Sequence, residues 1–187
     1  MTSPRKPLEV GSKATLTIVS GSPGAGKTTL CVRLAQETKA GLHIPSDVFY
    51  SFPAHALDPT RPEANDQNRA IMHAMGAAAA AFLAAGYEVF LEGIIGPWFL
   101  PTVLEEIPAD VGVAYVLMTA GSQTSVGRVR EREGRDFRER VLSTHSRFVF
   151  LGPYEDHRVE TTNRSLDEVC DEVRSGLAEG RFLLRRD

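Results

Sequence analysis

An α/β fold with a parallel sheet is what this sequence predicts, and three observations predict it. Five short segments rich in β-branched or other apolar residues alternate with helix-like stretches, the pattern of strand–helix–strand units. A glycine-rich loop follows the first of these segments and opens a helix. The length, 187 residues, gives one domain at roughly 150 residues each and leaves too little chain for a second. Taken in order, residues 15–20 form the first strand. Residues 27–39 follow as a helix with Leu30, Cys31, Leu34 and Ala35 on one face, stopping near Gly41. Residues 42–45 are a short second strand. Residues 51–61, rich in proline, make a surface excursion that leads into a long helix over 62–85. Gly86 ends that helix before a third strand at 88–91, and Gly96-Pro97 marks the start of another helix. The turn Pro108-Ala109-Asp110 introduces the fourth strand, 112–118. A helix over 122–133 breaks at Gly134, and residues 135–150 read as another. A fifth strand falls near 158–161. The spacing Ser165-x-x-Glu168 is that of a capping box, opening a last helix with Val169, Cys170, Val173 and Leu177 on one face.

Composition narrows the partners. With 42% hydrophobic residues the chain can bury a core, and its net charge of −3 gives no global positive field for long nucleic acid or an acidic membrane. Any anion site must be local. Cys31 and Cys170 lie far apart with no C-x-x-C pattern, which fits neither a disulfide framework nor a structural zinc site and points to a reducing, cytoplasmic setting. His43, His55, His73, His145 and His157 show no ligand spacing, so no metal is assigned to them. Basic residues Arg5, Lys6 and Lys13 precede an apolar run at 16–19 that is too short for a signal-peptide core. Residues 70–87 carry no formal charge but are mostly alanine, which is a packed helix of a soluble protein rather than a membrane span.

The strongest motif is Gly21-Ser22-Pro23-Gly24-Ala25-Gly26-Lys27-Thr28, which matches G-x-x-x-x-G-K-[ST] between a strand and a helix. Glycines let backbone N–H groups turn inward around a phosphate, and the helix N-terminus adds its positive dipole end. Lys27 then bridges toward the β- and γ-phosphates, and Thr28 can hold Mg²⁺. A plain connecting turn does not explain a lysine followed by Thr28 and Thr29. No N-K-x-D string is present for guanine; Asn163-Arg-Ser-Leu-Asp167 has the wrong spacing. Motor and remodelling ATPases need more chain and an acidic pair after the third strand, where this sequence has the single carboxylate Glu92. The size favours a kinase of metabolite dimensions.

The chain resembles the small P-loop kinases that include shikimate, gluconate and chloramphenicol phosphotransferases and the zeta-toxin group, most closely a bacterial set filed among AAA-type ATPases. The resemblance is carried by Ser20-Gly-Ser-Pro-Gly-Ala-Gly-Lys-Thr-Thr29, His43-Ile-Pro-Ser-Asp47-Val-Phe-Tyr50, Gln67-Asn-Arg69, Gly86-Tyr-Glu-Val-Phe-Leu-Glu92-Gly93, Gly96-Pro-Trp-Phe99 and Phe150-Leu-Gly-Pro-Tyr-Glu155. It implies a three-layer P-loop NTPase fold over residues 1–187, a five-stranded parallel sheet in the order 2-3-1-4-5, and a helical lid at about 128–147. It also implies ATP and Mg²⁺ as cofactors and a small-molecule hydroxyl acceptor. Within it Asp47 takes the proton of the acceptor hydroxyl, Arg128 lies against the adenine, and Arg132 or Arg135 lies on the phosphates. Two departures stand out. Glu92 occupies a place where many such kinases have Asp, which favours contact with Mg²⁺ through water. Residues 51–65 look unlike the relatives and are positioned to reshape the acceptor pocket.

Each assignment has a plainer alternative. Asp47 follows the second strand by two residues, at the sheet edge where ligands bind in open parallel sheets, yet Ser46 or Asp47 is equally a cap for a short helix beginning at Val48. Glu92 orients Thr28 or the metal, or is a surface residue at a strand end. Arg128, Arg132 and Arg135 recur at i, i+4 and i+7, one stripe if the helix is continuous; the alternative is a solvated face stitched to Glu131 and Glu133, with Gly134 a helix stop. Residues 128–147 hold seven arginines and four acids, a local basic patch open to a charged acceptor or to ATP. Arg69 and Gln67 either reach the acceptor or lie on an exposed face. Trp98, Phe99 and Phe49 either wall an acceptor pocket or belong to the core. The leading reading is an ATP-dependent kinase of a small molecule, acting as a monomer or weak dimer. The other readings are a P-loop ATPase or nucleotide switch with a protein partner, a polynucleotide 5′-hydroxyl kinase, for which no aromatic strand-binding groove is visible, and a toxin acting on an activated sugar.

Overall fold

Side chains leave each strand alternately to one face and the other, and two separate apolar layers result. A computed structural model describes residues 15–134 and 137–186. The five strands are β1 (Thr15–Gly21), β2 (Gly41–Pro45), β3 (Glu88–Glu92), β4 (Gly112–Thr119) and β5 (Arg158–Glu160), all parallel and ordered β2-β3-β1-β4-β5. The helices are α1 (Lys27–Glu37), α2 (Ser46–Tyr50), α3 (Asn65–Ala84), α4 (Leu100–Leu104), α5 (Ser122–Glu133), α6 (Arg138–Ser146) and α7 (Leu166–Ala178). From β1, Leu16 and Ile18 enter the layer built by Met72, Met75 and Leu83 of α3 with Leu100 and Val103 of α4. Val19 points the other way, toward Leu30 and Leu34 of α1 and Val169 and Val173 of α7. Period-two alternation on strands buried on both faces therefore builds a helix–sheet–helix sandwich. Each such Leu, Ile or Val contributes about 1.5–3 kcal/mol by leaving water.

Local chemistry sets the ends of the helices. Ser165 accepts from the Glu168 N–H while the Glu168 carboxylate accepts from the Ser165 N–H, so the capping box read from sequence is present at the start of α7. The alanine-rich α3 lies close on α4: a Cβ at Gly76 would stand 2.7 Å from Val103 O. The long helix expected from residue 62 opens instead with a 3-10 turn, Pro62–Ala64, of the kind frequent at helix N-termini. The helix expected at Gly96-Pro97 begins later, at Leu100, after Gly96 O has accepted from the N–H groups of Phe99 and Leu100. The helix expected over 135–150 is the shorter α6.

The register brings the functional ends together. Val19 pairs with Glu92, and Glu92 with Pro45, so the loop after β1, the end of β3 and the start of α2 share the carboxyl edge of the sheet. Residues 51–64 leave that edge and roof it before α3 begins. Three bonds from α3 hold the roof: Gln67 Oε1 accepts from the Leu57 N–H at 2.8 Å, Gln67 Nε2 donates to Leu57 O at 3.1 Å, and Asn68 Nδ2 donates to Pro59 O at 2.9 Å.

Candidate active site

The loop after β1 folds as its glycines require. A Cβ at Gly21 would lie 1.9 Å from Met118 O, so no side chain fits between β1 and β4 there. Gly24 and Gly26 hold φ of 76° and 93°, the left-handed region open to glycine. Gly26 starts α1 with no side-chain cap and no acid in the first turn. The N–H groups of Lys27, Thr28 and Thr29 therefore have no claimant inside the helix and sit at its positive end, a donor set that fits a phosphate. Lys27 Nζ donates to Gly21 O at 3.3 Å and Ser22 O at 3.1 Å. Burial holds its pKa below the ordinary lysine value, and the carboxylates of Glu92 and Asp47 offset only part of that.

Glu92 is not a surface residue. It closes β3 at 5% exposure, and its Oε1 accepts from Thr28 Oγ1 at 2.9 Å. His43 Nε2 stands 3.7 Å from the same oxygen, past hydrogen-bond length, and is itself buried without a partner. Burial works against the charge on Glu92, but His43, the Lys27 charge and the Thr28 hydroxyl outweigh it and hold the carboxyl below its ordinary value. Thr28 and Glu92 together fit the water-mediated shell of a Mg²⁺ ion; among the described residues no cluster of three or more His, Cys, Asp or Glu side chains forms a protein-only metal cage.

Asp47 is the second residue of α2, whose N-cap is Pro45 and which carries no side-chain cap. The capping alternative fails because the helix begins at Ser46, two residues before Val48. The Asp47 carboxylate borders two adjoining cavities. One, of about 230 Å³, is also lined by Lys27, Thr28, Glu92, Arg132 and Arg140. The other, of about 390 Å³, is also lined by Tyr50, Asn68, Trp98, Arg140 and Arg147. Burial, with the Asp47 charge adding to it and Arg140 opposing, pushes the Tyr50 hydroxyl up to about 12. The wall carrying Trp98 is fixed from below: Ile95 N–H donates to Ser20 Oγ at 3.0 Å and the Tyr115 hydroxyl donates to Ile95 O at 2.6 Å. A Cβ at Gly93 would stand 2.6 Å from Ser46 Oγ, so the turn after β3 sits directly on α2. A third hollow, of about 200 Å³, lies on the far side of the loop between Gly26, Thr29, Arg128, Thr161 and Leu166.

The predicted site residues divide. Lys27, Thr28, Asp47, Glu92 and Arg132 meet around the smaller cavity, and Trp98 joins Asp47 on the larger. Phe49 and Arg69 line neither. Phe49 packs on Phe52, with ring centres 5.4 Å apart, and on the core; Arg69 is on the exposed face of α3, since Asn68, one residue earlier and about 100° around the helix, takes the cavity side. Gln67 reaches the roof backbone instead of the cavity. The arginine stripe is not continuous: Gly134, at φ 65°, ends α5. Arg128 Nη1 donates to Gly24 O at 3.2 Å and its Nη2 to Thr161 O at 3.1 Å, tying the root of α5 to the loop, while Arg132 pairs with Glu133 at 2.8 Å. Arg135 lies outside the described residues. Sequence reasoning did not single out His43, Tyr50, Asn68, Arg140 or Arg147. A signal existed for the last two, since Arg140, Ser143, Thr144 and Arg147 recur at i, i+3, i+4 and i+7 and all face the larger cavity.

A family model for chloramphenicol phosphotransferase-like proteins matches residues 14–178. The chain belongs to that family. Its phosphate loop and five-stranded sheet are those of the small P-loop kinases. No functionally curated protein matches it. Among solved structures, a gluconokinase from Sinorhizobium meliloti 1021 superposes with a TM-score of 0.69 at 19% identity, over 91% of this chain and 95% of that one. A sugar kinase from Janibacter sp. HTCC2649 does so with 0.65 at 18%, over 88% and 95%. A component of the Pnkp1/Rnl/Hen1 RNA repair complex gives 0.59 at 15%, over 75% of this chain and 45% of that one. These likenesses fix the fold. No helix among the described residues is long and apolar enough to cross a membrane.

Proposed function

We propose that this member of the chloramphenicol phosphotransferase-like family is an ATP-dependent phosphotransferase that moves a γ-phosphoryl group to a hydroxyl of a small molecule. The observation that carries the reading is the position of Asp47, one carboxylate on the border of both cavities, with Lys27 and Thr28 on one side and a hollow of metabolite size on the other. When bound, Mg²⁺-ATP supplies the phosphoryl group and the neutralising metal charge. The amides of the loop and Lys27 Nζ hold the phosphate oxygens, Thr28 with Glu92 behind it holds the metal through water, and the hollow beside Arg128 and Thr161 takes the base. Asp47 accepts the hydroxyl proton as the new oxygen–phosphorus bond forms and the bond to the departing ADP oxygen breaks. Arg132 stabilises charge spread over the equatorial oxygens. Closure of residues 128–147 excludes water, which would otherwise compete as acceptor. The whole chain, 1–187, acts as one kinase unit in this reading.

The likeness to a component of an RNA repair complex favours a second reading, a polynucleotide 5′-hydroxyl kinase. The larger cavity, at about 390 Å³, is within the range of small-molecule sites and favours the first. The test is ADP release from Mg²⁺-ATP across sugar acids, nucleosides, aminoglycosides, chloramphenicol-like compounds and a 5′-hydroxyl oligonucleotide. A small hydroxyl compound stimulates release, and Asp47→Asn removes about 10²–10⁴-fold of that stimulation with ATP affinity unchanged. Slow hydrolysis indifferent to every compound and to Asp47 would overturn the reading in favour of an ATPase or switch.

A further inference from the structure

The larger cavity has a chemical character of its own. Its charged walls are Asp47 at the edge shared with the phosphate loop, and Arg140 and Arg147 on α6 and its C-terminal end. Neither arginine has a carboxylate within ion-pair distance among the described residues. Arg140 borders both cavities, whereas Arg147 lines only the larger one. The Arg147 guanidinium sits over the Trp98 ring, its Cζ 3.7 Å from the ring centre, and Trp98 is backed in turn by Phe148 with ring centres 5.5 Å apart. Stacking on an indole fixes the plane of the guanidinium while leaving its N–H edge free to take an oxyanion in a forked pair. A second group in the wall is incomplete. Asn68 is 5% exposed; its Nδ2 is committed to Pro59 O, which sets the amide orientation, and its Oδ1 is buried without a donor. A buried acceptor in that state calls for an N–H or O–H from whatever fills the space.

We infer that the acceptor is a polar anion: a hydroxyl compound whose carboxylate or phosphate docks on Arg147, with Arg140 adding charge, and which offers a second hydroxyl or amine to Asn68 Oδ1. The inference rests on the kinase reading above for the word acceptor, but not for the anion site itself. Arg147 is a binding residue here and does not line the cavity at the phosphate loop, so its loss raises KM and leaves kcat nearly alone.

Trp98 is the only tryptophan of the chain, and its fluorescence reports directly on this cavity. The full chain, its phosphate loop saturated with Mg²⁺-ADP, is titrated with acetate, inorganic phosphate, D-gluconate and glycerol 3-phosphate, and with the neutral counterparts gluconamide and glycerol. Calorimetry of the same pairs gives a readout independent of the stacked ring. At least one anion binds saturably and at least tenfold tighter than its neutral counterpart. Carboxylate against phosphate members show which oxyanion is preferred. Arg147→Gln weakens the anion at least tenfold with Mg²⁺-ATP affinity unchanged, which also shows that the variant is folded, and Arg147→Lys falls between. Equal binding of neutral counterparts, anion binding untouched by Arg147→Gln, or no saturable binding of any anion overturns the inference. The two readings fail separately. Asp47-dependent ADP release driven by neutral compounds alone keeps the kinase and removes the anion site. Anion binding lost in Arg147→Gln, with no compound ever stimulating release, keeps the site and removes the kinase.

Discussion

The two sides of the cleft are made of different materials. On the side of the phosphate loop the geometry comes from backbone N–H groups presented by three glycines at positive φ and one helix terminus, joined by the side chains of Lys27, Thr28, Glu92 and Arg132. The larger cavity is assembled from residues scattered over α2, α3, the turn after β3 and α6, with a roof pinned by Gln67 and Asn68. Backbone geometry demands particular residues at fixed spacing, whereas a pocket of side chains admits many solutions. One side is accordingly fixed by a short local motif and the other by residues far apart in the chain.

Four perturbations break or sharpen that contrast. The largest effect belongs to the nucleotide side: Lys27→Ala lowers acceptor-stimulated ADP release about 10²–10³-fold, the scale of losing one preorganised electrostatic donor, with the fold retained by circular dichroism. Gly93→Ala tests the joint between the sides. Its methyl group meets Ser46 and displaces α2 with Asp47, at a cost of about 1–3 kcal/mol in urea unfolding, and turnover falls while ADP affinity holds. Glu92→Gln acts through the depressed carboxyl. A folded-state pKa below the unfolded value gives stability that is present above about 4.5 and lost as pH falls through the folded value. Wild type therefore loses stability as pH falls below about 4.5 by a margin that Glu92→Gln lacks, and the variant also needs more Mg²⁺ for half-maximal rate. The smallest effect is on the roof. Gln67→Ala frees Leu57, raises acceptor KM a few-fold, and costs less than about 1.5 kcal/mol because its two hydrogen bonds are exposed. An equal loss of ADP affinity in that variant would show that the sides are not separable.

The same contrast explains what the sequence revealed. The alternating strands and helices, the loop and the capping box at Ser165 were legible because alternation, glycine conformations and cap spacing are local physics, whereas the sheet order came only with the resemblance to the small P-loop kinases. Asp47 was legible as a candidate, and the start of α2 at Ser46 removes only the capping alternative. Phe49 and Arg69 were misplaced for want of a helix phase: Asn68 faces the cavity and Arg69, the next residue, faces solvent. Arg140 and Arg147 were counted in a basic patch, but Trp98, over which Arg147 sits, lies 49 residues earlier in the chain, and no local pattern links them. His43 beside Glu92 is a register effect between β2 and β3, invisible until the strands are paired.

The roof over residues 51–64 has a consequence for the larger cavity. It enters from one short helix and leaves into a long one, carries no strand, and hangs on three bonds from α3. Lengthening such a stretch is cheap in chain entropy, about 0.6 kcal/mol for each doubling. A longer or shorter roof would therefore reshape one wall of the larger cavity and leave the phosphate loop untouched, and the roof with its two anchoring positions, Gln67 and Asn68, is a unit that can be grafted whole.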